Sequence, residues 1–305
     1  MLIVVLGSAA GGGFPQWNCN APTSREAWRG NGRATRRTQT SVAVSADGER
    51  WLVVCASPDF RQQILATPRL QPRSGLRHSP IEAVLLTGGE IDGVAGLLSM
   101  RESQAFHLYA PPAVLALLGE NPIFGALSES CVRRCPVPTE ETVEIAGPGG
   151  PLGLSVSLFA VPGKVPLFLE GRTGAPSPDD AEMAVGAEIG DGRASFHFVP
   201  GCAAPTDRLR ARLRGSRLVF FDGTLWRDDE LLATGVGQKT GRRMGHMSID
   251  GPDGTIAALA DLEIGRKIFI HVNTTNPVLI DDSPERTAAA RAGWEVAEDG
   301  MEIEL

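Results

Sequence analysis

The hydrophobic positions of this chain fall in short blocks rather than long stripes. Residues 2–6 are continuously apolar, and 40–45 and 51–55 are apolar or alternating runs closed by Gly, Asp and Pro. Such runs read as strands, the continuous ones as strands covered on both faces. Ala46-Asp47-Gly48-Glu49 between the second and third carries the Asp-Gly signature of a hairpin. A helix is predicted over 58–66, with Ser57 as its cap and Pro58 at its first position. Strand 81–87, helix 92–101, strand 107–109 and helix 112–118 follow. The middle is β-rich, with strands at 131–137, 141–145, 154–161, 183–189 and 194–199, interrupted by a Pro/Gly/Asp-rich loop at 171–180. Helix 207–214, strand 217–222, helix 254–262, strand 267–271 and a Ser283-capped helix at 284–292 lead to short strands at 294–296 and 301–304.

Two β-rich halves, each followed by helices, predict an α/β fold: an αββα sandwich with two sheets face to face and helices outside. A doubly wound parallel sheet is the alternative, because strands and helices also alternate at 81–118 and 204–292. No internal repeat or linker divides the chain, so one domain over 1–305 is expected. The composition agrees: 42% hydrophobic, 21% charged, and 36 Gly and 22 Pro to supply many turns. A formal charge of −7 lacks the basic surplus of a nucleic-acid binder. No apolar run reaches the ~18 residues of a membrane span, and the start lacks the basic segment of a secretory signal. Five cysteines, an odd number in a long chain, point to a reducing cytoplasm rather than a disulfide scaffold.

Chemistry-bearing residues stand where predicted strands end. Thr87-Gly88-Gly89-Glu90-Ile91-Asp92-Gly93 follows strand 81–87, Asp222-Gly223-Thr224 closes strand 217–222, and His271 closes strand 267–271. Strand C-termini face the crevice in which α/β proteins bind ligands. With Gly245-His246-Met247-Ser248 before a helix, the set is Asp92, Asp222, His246 and His271. Carboxylate plus imidazole is the composition of a zinc or non-haem iron site. Asp92 also reads as a simple helix cap. Gly7 to Gly13 follows the first strand without a GxGxxG spacing; it reads as a close backbone crossing or, alternatively, a phosphate cradle. His78, His107 and His197 read as turn or packing residues. Cys131 and Cys135 share a strand face but have no second pair to complete a zinc site.

The segments GSAAGGGFPQWNCN (7–20), ASPDFRQQI (56–64), LTGGEIDGVAGLL (86–98), FVPGC (198–202), FFDGTLWRDDEL (220–231), MGHMSI (244–249) and IHVNTTNPVL (270–279) resemble the PqqB family of pyrroloquinoline quinone (PQQ) biosynthesis proteins, within the metallo-β-lactamase fold superfamily. The resemblance implies the αββα sandwich with its site at the sheet edges. It implies an iron-dependent, O2-using hydroxylation of the tyrosine-derived ring of a Glu–Tyr precursor, with Fe(II) as metal and zinc acceptable in purified protein. The other role it implies is a carrier moving PQQ or its precursor toward the periplasm. Expected partners are the small peptide-derived precursor and other proteins of the pathway, with neither nucleic acid nor membrane insertion.

Residue by residue, Asp92, Asp222 and His271 match the superfamily's metal ligands. His246 matches a histidine with acid/base or anion-binding roles and is expected to complete the metal shell. Asp92 and His246 are the expected catalytic residues. Lys239, Arg242 and Arg243 are the expected substrate-binding cations. Two departures stand out. In the superfamily's HxHxDH motif the last His is Gly93 here, and Glu90 is a possible substitute carboxylate. Where relatives carry CxCxxC, this chain has Cys19, Ala21 and Ser24, so no structural zinc is expected and the loop should be held by packing of Trp17 and Trp28. A metallo-hydrolase ranks last, because the HxHxDH clamp for an activated water is incomplete.

Overall fold

The structure, a computed structural model, describes residues 1–170 and 183–305; the predicted loop at 171–180 lies outside them. Fourteen strands are present among the described residues. They are β1 (Leu2–Gly7), β2 (Ser41–Ser45), β3 (Trp51–Val54), β4 (Ile81–Leu85), β5 (Phe106–Ala110), β6 (Val132–Pro136), β7 (Thr142–Gly147), β8 (Gly150–Ala160), β9 (Val185–Gly190), β10 (Ser195–Val199), β11 (Leu218–Asp222), β12 (Arg266–Ile270), β13 (Trp294–Val296) and β14 (Glu302–Glu304). They form two seven-stranded sheets, ordered β14-β1-β2-β3-β4-β5-β6 and β13-β12-β11-β10-β9-β8-β7. The sheets are built alike. The run β3-β4-β5-β6 is parallel and the rest of the first sheet antiparallel; β10-β11-β12-β13 is parallel and the rest of the second antiparallel.

Period-2 side-chain alternation divides each apolar run between two cores. Ile3 and Val5, Leu52 and Val54, and Leu218 and Phe220 point between the sheets, where they pack with Leu154, Val156 and Phe198. Their neighbours Val4, Trp51 and Val53 turn outward under Phe60, Val114 and Leu118. Val219, Phe221 and Phe269 turn outward under Leu209, Leu213 and Ala289. The covering helices are α1 (Pro22–Arg29), α2 (Phe60–Ala66), α3 (Ile91–Val94), α4 (Pro112–Glu120), α5 (Asp207–Leu213), α6 (Glu230–Ala233), α7 (Thr255–Ala258) and α8 (Pro284–Arg291). This is the metallo-β-lactamase fold, an αββα sandwich rather than one doubly wound sheet.

The predicted hairpin joins β2 to β3, with the Asp47 carboxylate accepting from the amides of Glu49 and Arg50 and with Gly48 at φ +77°. Ser283 caps α8 through Arg286 N at 3.0 Å. Three helix predictions need correction. The helix expected from 58 begins at Phe60, and Ser57 does not cap it; its hydroxyl donates to Gln63 Oε1. The helix expected over 92–101 is one α-turn, α3, followed by a 3-10 segment, Ala95–Met100. There Ala56 N donates to Gly93 O and Gly96 N to Ala56 O, so residues 93–96 bond to the end of β3. The helix expected over 254–262 is only α7; beyond it Ala260 N and Leu262 N donate three residues back, to Ala257 O and Leu259 O, so the chain continues as turns.

Candidate metal centre at the strand ends

The C-terminal ends of β3, β4, β11 and β12 meet at one edge of the sandwich, where Ala9 bridges Val272 and Gly88 bridges Ala184. A cavity of about 320 Å³ opens there. Asp92, Thr224, His246 and His271 line it.

Asp222, the last residue of β11, is fully buried behind that lining. Its Oδ2 accepts from Cys202 N and lies 2.9 Å from His246 Nδ1; its Oδ1 accepts from Thr224 N at 3.0 Å and Thr224 Oγ1 at 2.6 Å. A carboxylate accepts only, so His246 Nδ1 carries the proton of that contact. The Thr224 hydroxyl is also 3.0 Å from His246 Nδ1 and 2.9 Å from His271 Nδ1. One hydroxyl thus meets both imidazoles, whose rings stack with centroids 5.1 Å apart. Because Nδ1 of each ring is engaged, Nε2 is the remaining nitrogen of each, and that of His271 meets Asp92. A carboxylate or hydroxyl fixing one imidazole nitrogen so that the other serves a metal is the usual support of a metal-binding histidine.

His271 Nε2 lies 3.0 Å from Asp92 Oδ2. Burial works against charge on His271, but the hydrogen bond and charge of Asp92, with Asp222 and Glu90 behind it, raise the imidazole above its ordinary value. Burial likewise opposes ionisation of Asp92, and the hydrogen bond and charge of His271 overcome it to hold the carboxyl below its ordinary value. His271 has φ +61° and Cys55, at the end of β3, has φ +63°. Left-handed non-glycine residues cost of order 1–3 kcal/mol each and persist where their surroundings over-determine them. Both line the cavity. Burial pushes the Cys55 thiol up to about 11.

The four residues expected at the site are therefore brought together. Asp222, His246 and His271 offer ligand atoms within 4.8 Å of one another, the one such group among the described residues. Asp92 does not act as a cap; Glu90 occupies that position with no side-chain capping bond, and Asp92 faces His271. At Gly93 an added Cβ would meet only Cys55 Sγ, at 4.0 Å, an ordinary contact, so the backbone there admits a side chain. The expected substrate cations fall outside the lining. Arg242 reaches Asp253 at 3.5 Å, Lys239 donates to Glu170 at 2.6 Å, and neither they nor Arg243 border the cavity. Lys164 does, and sequence reasoning missed it, as it missed Thr224, whose only signal is its place two residues beyond a strand-ending aspartate.

His78 accepts from Arg73 N on the surface, His107 lies tilted beside Tyr109, and the buried His197 pairs with Ser216. The glycine segment after β1 is a close crossing: a Cβ on Gly7 would stand 2.1 Å from Gln39 O. The N-terminal loop is not held by tryptophan packing, since Trp17 is 82% exposed and Trp28 47%. Thr23 Oγ1 donates to Thr274 O, Ser24 Oγ meets Thr274 Oγ1, and the Trp28 indole donates to Cys19 O.

Two facing mixed sheets with Asp and His at their common edge define the metallo-β-lactamase class, and residues 50–272 match the family model described as beta-lactamase superfamily domain. The chain shares that fold with a diphosphatase of the PhnP family, at 20% identity and a TM-score of 0.71. It is 62% identical to coenzyme PQQ synthesis protein B of Xanthomonas euvesicatoria over the full length of both chains. To the protein of the same name from Gluconacetobacter diazotrophicus it is 56% identical, over 99% of this chain and 98% of that one. The crystal structure of Zn(2+)-bound PqqB from Methylobacterium extorquens superposes over the whole of both chains, with a TM-score of 0.95 and 51% identity. The chain belongs to the coenzyme PQQ synthesis protein B family.

Proposed function

We propose that this protein performs the metal-dependent, O2-using hydroxylation of the tyrosine-derived ring in PQQ formation. The observation that carries the reading is the donor set itself: two imidazoles and a carboxylate within 4.8 Å, with Asp92 on His271, at an open cavity. Two histidines and one carboxylate with open positions suit Fe(II) oxygen chemistry, and the same donors accept zinc. Asp92, Asp222 and His271 would hold the metal, with His246 completing the set. Fe(II), if bound, would supply the one-electron chemistry that O2 needs to react with an aromatic ring; one phenol and one O2 balance as an ortho-quinone and one water, with no further reductant. The chain's own contribution is orientation. Asp222 and Thr224 hold both imidazoles by Nδ1, which leaves Nε2 of His246 as that residue's ligand atom. The apolar wall of Met183, Val185 and Leu231 seats the ring. Other proteins of the pathway supply the peptide-derived precursor.

Reconstitution with Fe(II) tests this. The expected result is about one iron per chain and O2 uptake only when the Glu–Tyr-derived substrate is added. The absence of an imidazole at Gly93 favours a second reading, a carrier with a reduced metal site. Tight PQQ binding by metal-free protein, without turnover by the iron-loaded form, would replace the first reading by the second.

A further inference from the structure

Among the described residues lining the cavity, one side chain is a fixed cation: Lys164. It follows β8, and its stem is seated. A Cβ on Gly245, which stands at φ +87°, would be 3.0 Å from Lys164 Cγ and 3.3 Å from Lys164 N. That approach sets the base of the side chain against the residue immediately before His246. The Nζ lies 3.7 Å from Glu90 Oε1 and 3.8 Å from Glu170 Oε1. These are ion-pair distances, too long for hydrogen bonds. Glu170 instead takes its short hydrogen bond from Lys239, at 2.6 Å. Lys164 is thus held at the cavity wall by two loose ion pairs, neither at hydrogen-bonding distance.

The composition sharpens the point. Of 29 basic residues only Lys164, Lys239 and Lys267 are lysines, and two of the three meet at Glu170. An ammonium is a compact charge with three rotatable donors, able to exchange one carboxylate for another; a guanidinium prefers a fixed planar fork. Elsewhere the wall is largely apolar, with Met183, Val185, Leu231 and Met244.

We propose that Lys164 is the anion-binding end of the cavity, taking a carboxylate of a planar aromatic ligand whose other end faces Asp92 and His271. The ligand carboxylate replaces the loose pairing to Glu170. The inference rests on the PQQ-pathway reading above, and it assigns the recognised feature as the acid groups of the ligand.

The test is calorimetric titration of zinc-loaded full-length protein with PQQ, an aromatic tricarboxylate, and with phenanthrenequinone, a planar quinone without carboxylates. Lys164→Met should weaken PQQ binding by about tenfold or more, the worth of one charge-assisted hydrogen bond. Zinc content, melting temperature and affinity for the neutral quinone should not change. Glu170→Gln, which leaves Lys164 intact, should tighten PQQ binding by removing its competitor. Equal PQQ affinity in wild type and Lys164→Met overturns the subsite while leaving the pathway reading in place. Parallel loss of zinc or of the neutral quinone in Lys164→Met marks a structural lysine and also overturns it, as does unchanged or weaker PQQ binding by Glu170→Gln. Absence of PQQ binding by wild type removes both the subsite and the assignment of a PQQ-like ligand.

Discussion

At the cavity, the second sheet delivers Asp222, Thr224, His246 and His271 in contacts of 2.6–3.0 Å, while the first delivers Asp92 beside Gly88 and Gly93. The second side is braced further out. Buried Glu230 accepts from Trp226 N and Thr275 Oγ1, Asn276 Nδ2 donates to Gly223 O, and Asn273 N donates to Thr224 O. These bonds tie the loop after β11 to the loop after β12. On the first side the carboxylate of Asp92 leans on an imidazole from the other sheet, and the neighbouring position is vacant of any side chain. Two sheets of like topology thus differ: one side is a prebuilt socket, the other a single carboxylate beside two glycines. Affinity should reside in the socket, because its geometry is assembled before anything binds.

The strongest attack on that contrast is Asp222→Ala. It orphans Cys202 N and Thr224 N and frees His246, and each buried donor left unsatisfied costs about 1–3 kcal/mol. Denaturant unfolding should show that loss, and metal analysis should find no stoichiometric metal; retained metal would remove Asp222 from the centre.

The brace comes next. Burial raises the Glu230 carboxyl from 4.5 to about 7, against hydrogen bonds that lower it. Between those values the folded chain holds a proton that the unfolded chain has released, so stability falls as pH rises through the window, by about 3 kcal/mol in all. Glu230→Gln mimics the protonated form and should flatten that slope in unfolding measured from pH 5 to pH 8. An unchanged slope would show that Glu230 is not its source.

A smaller effect is expected at Thr224. Thr224→Val removes the hydroxyl that meets both imidazoles, and loss of such a supporting contact weakens metal binding by about 10–100-fold. Thr224→Ser should restore it. Competition with a chelator reads both, and an unaffected valine variant would mean that the rings are oriented by packing alone.

The mildest test builds up the sparse side. A Cβ at 93 meets only Cys55 Sγ, so the backbone admits Gly93→His, which should tighten metal binding by about tenfold, the scale of one added favourable contact. A fall in affinity would show that the first sheet's openness is itself required.

How far the sequence reveals this molecule depends on whether a feature is local. Strands such as 2–6 and 217–222 are legible because both of their faces are covered, so the run is apolar throughout and its ends are punctuated. Asp92, Asp222 and His271 stand out because each follows such a run. The helix at 92–101 was over-read: its apolar spacing is helical, but the end of β3 captures the bonds of Gly93 and Gly96. Ser57 looks like a cap until Gln63, brought close by the turn of α2, takes its hydroxyl. Arg242 and Arg243 sit near His246 in sequence yet lie outside the lining, whereas Lys164, 82 positions before His246, borders the cavity with it.

What the residues alone determined is which strands form, that polar groups cap them, and to which family the pattern is similar; period-2 burial and turn chemistry act over a few residues and leave their mark there. Tertiary structure alone decided that Asp92 meets His271 across 179 positions, that one threonine hydroxyl serves two imidazoles, and that a lysine rather than an arginine pair faces the cavity. Those contacts are set by how two sheets register against each other, and no local periodicity encodes a distance between strand ends on different sheets.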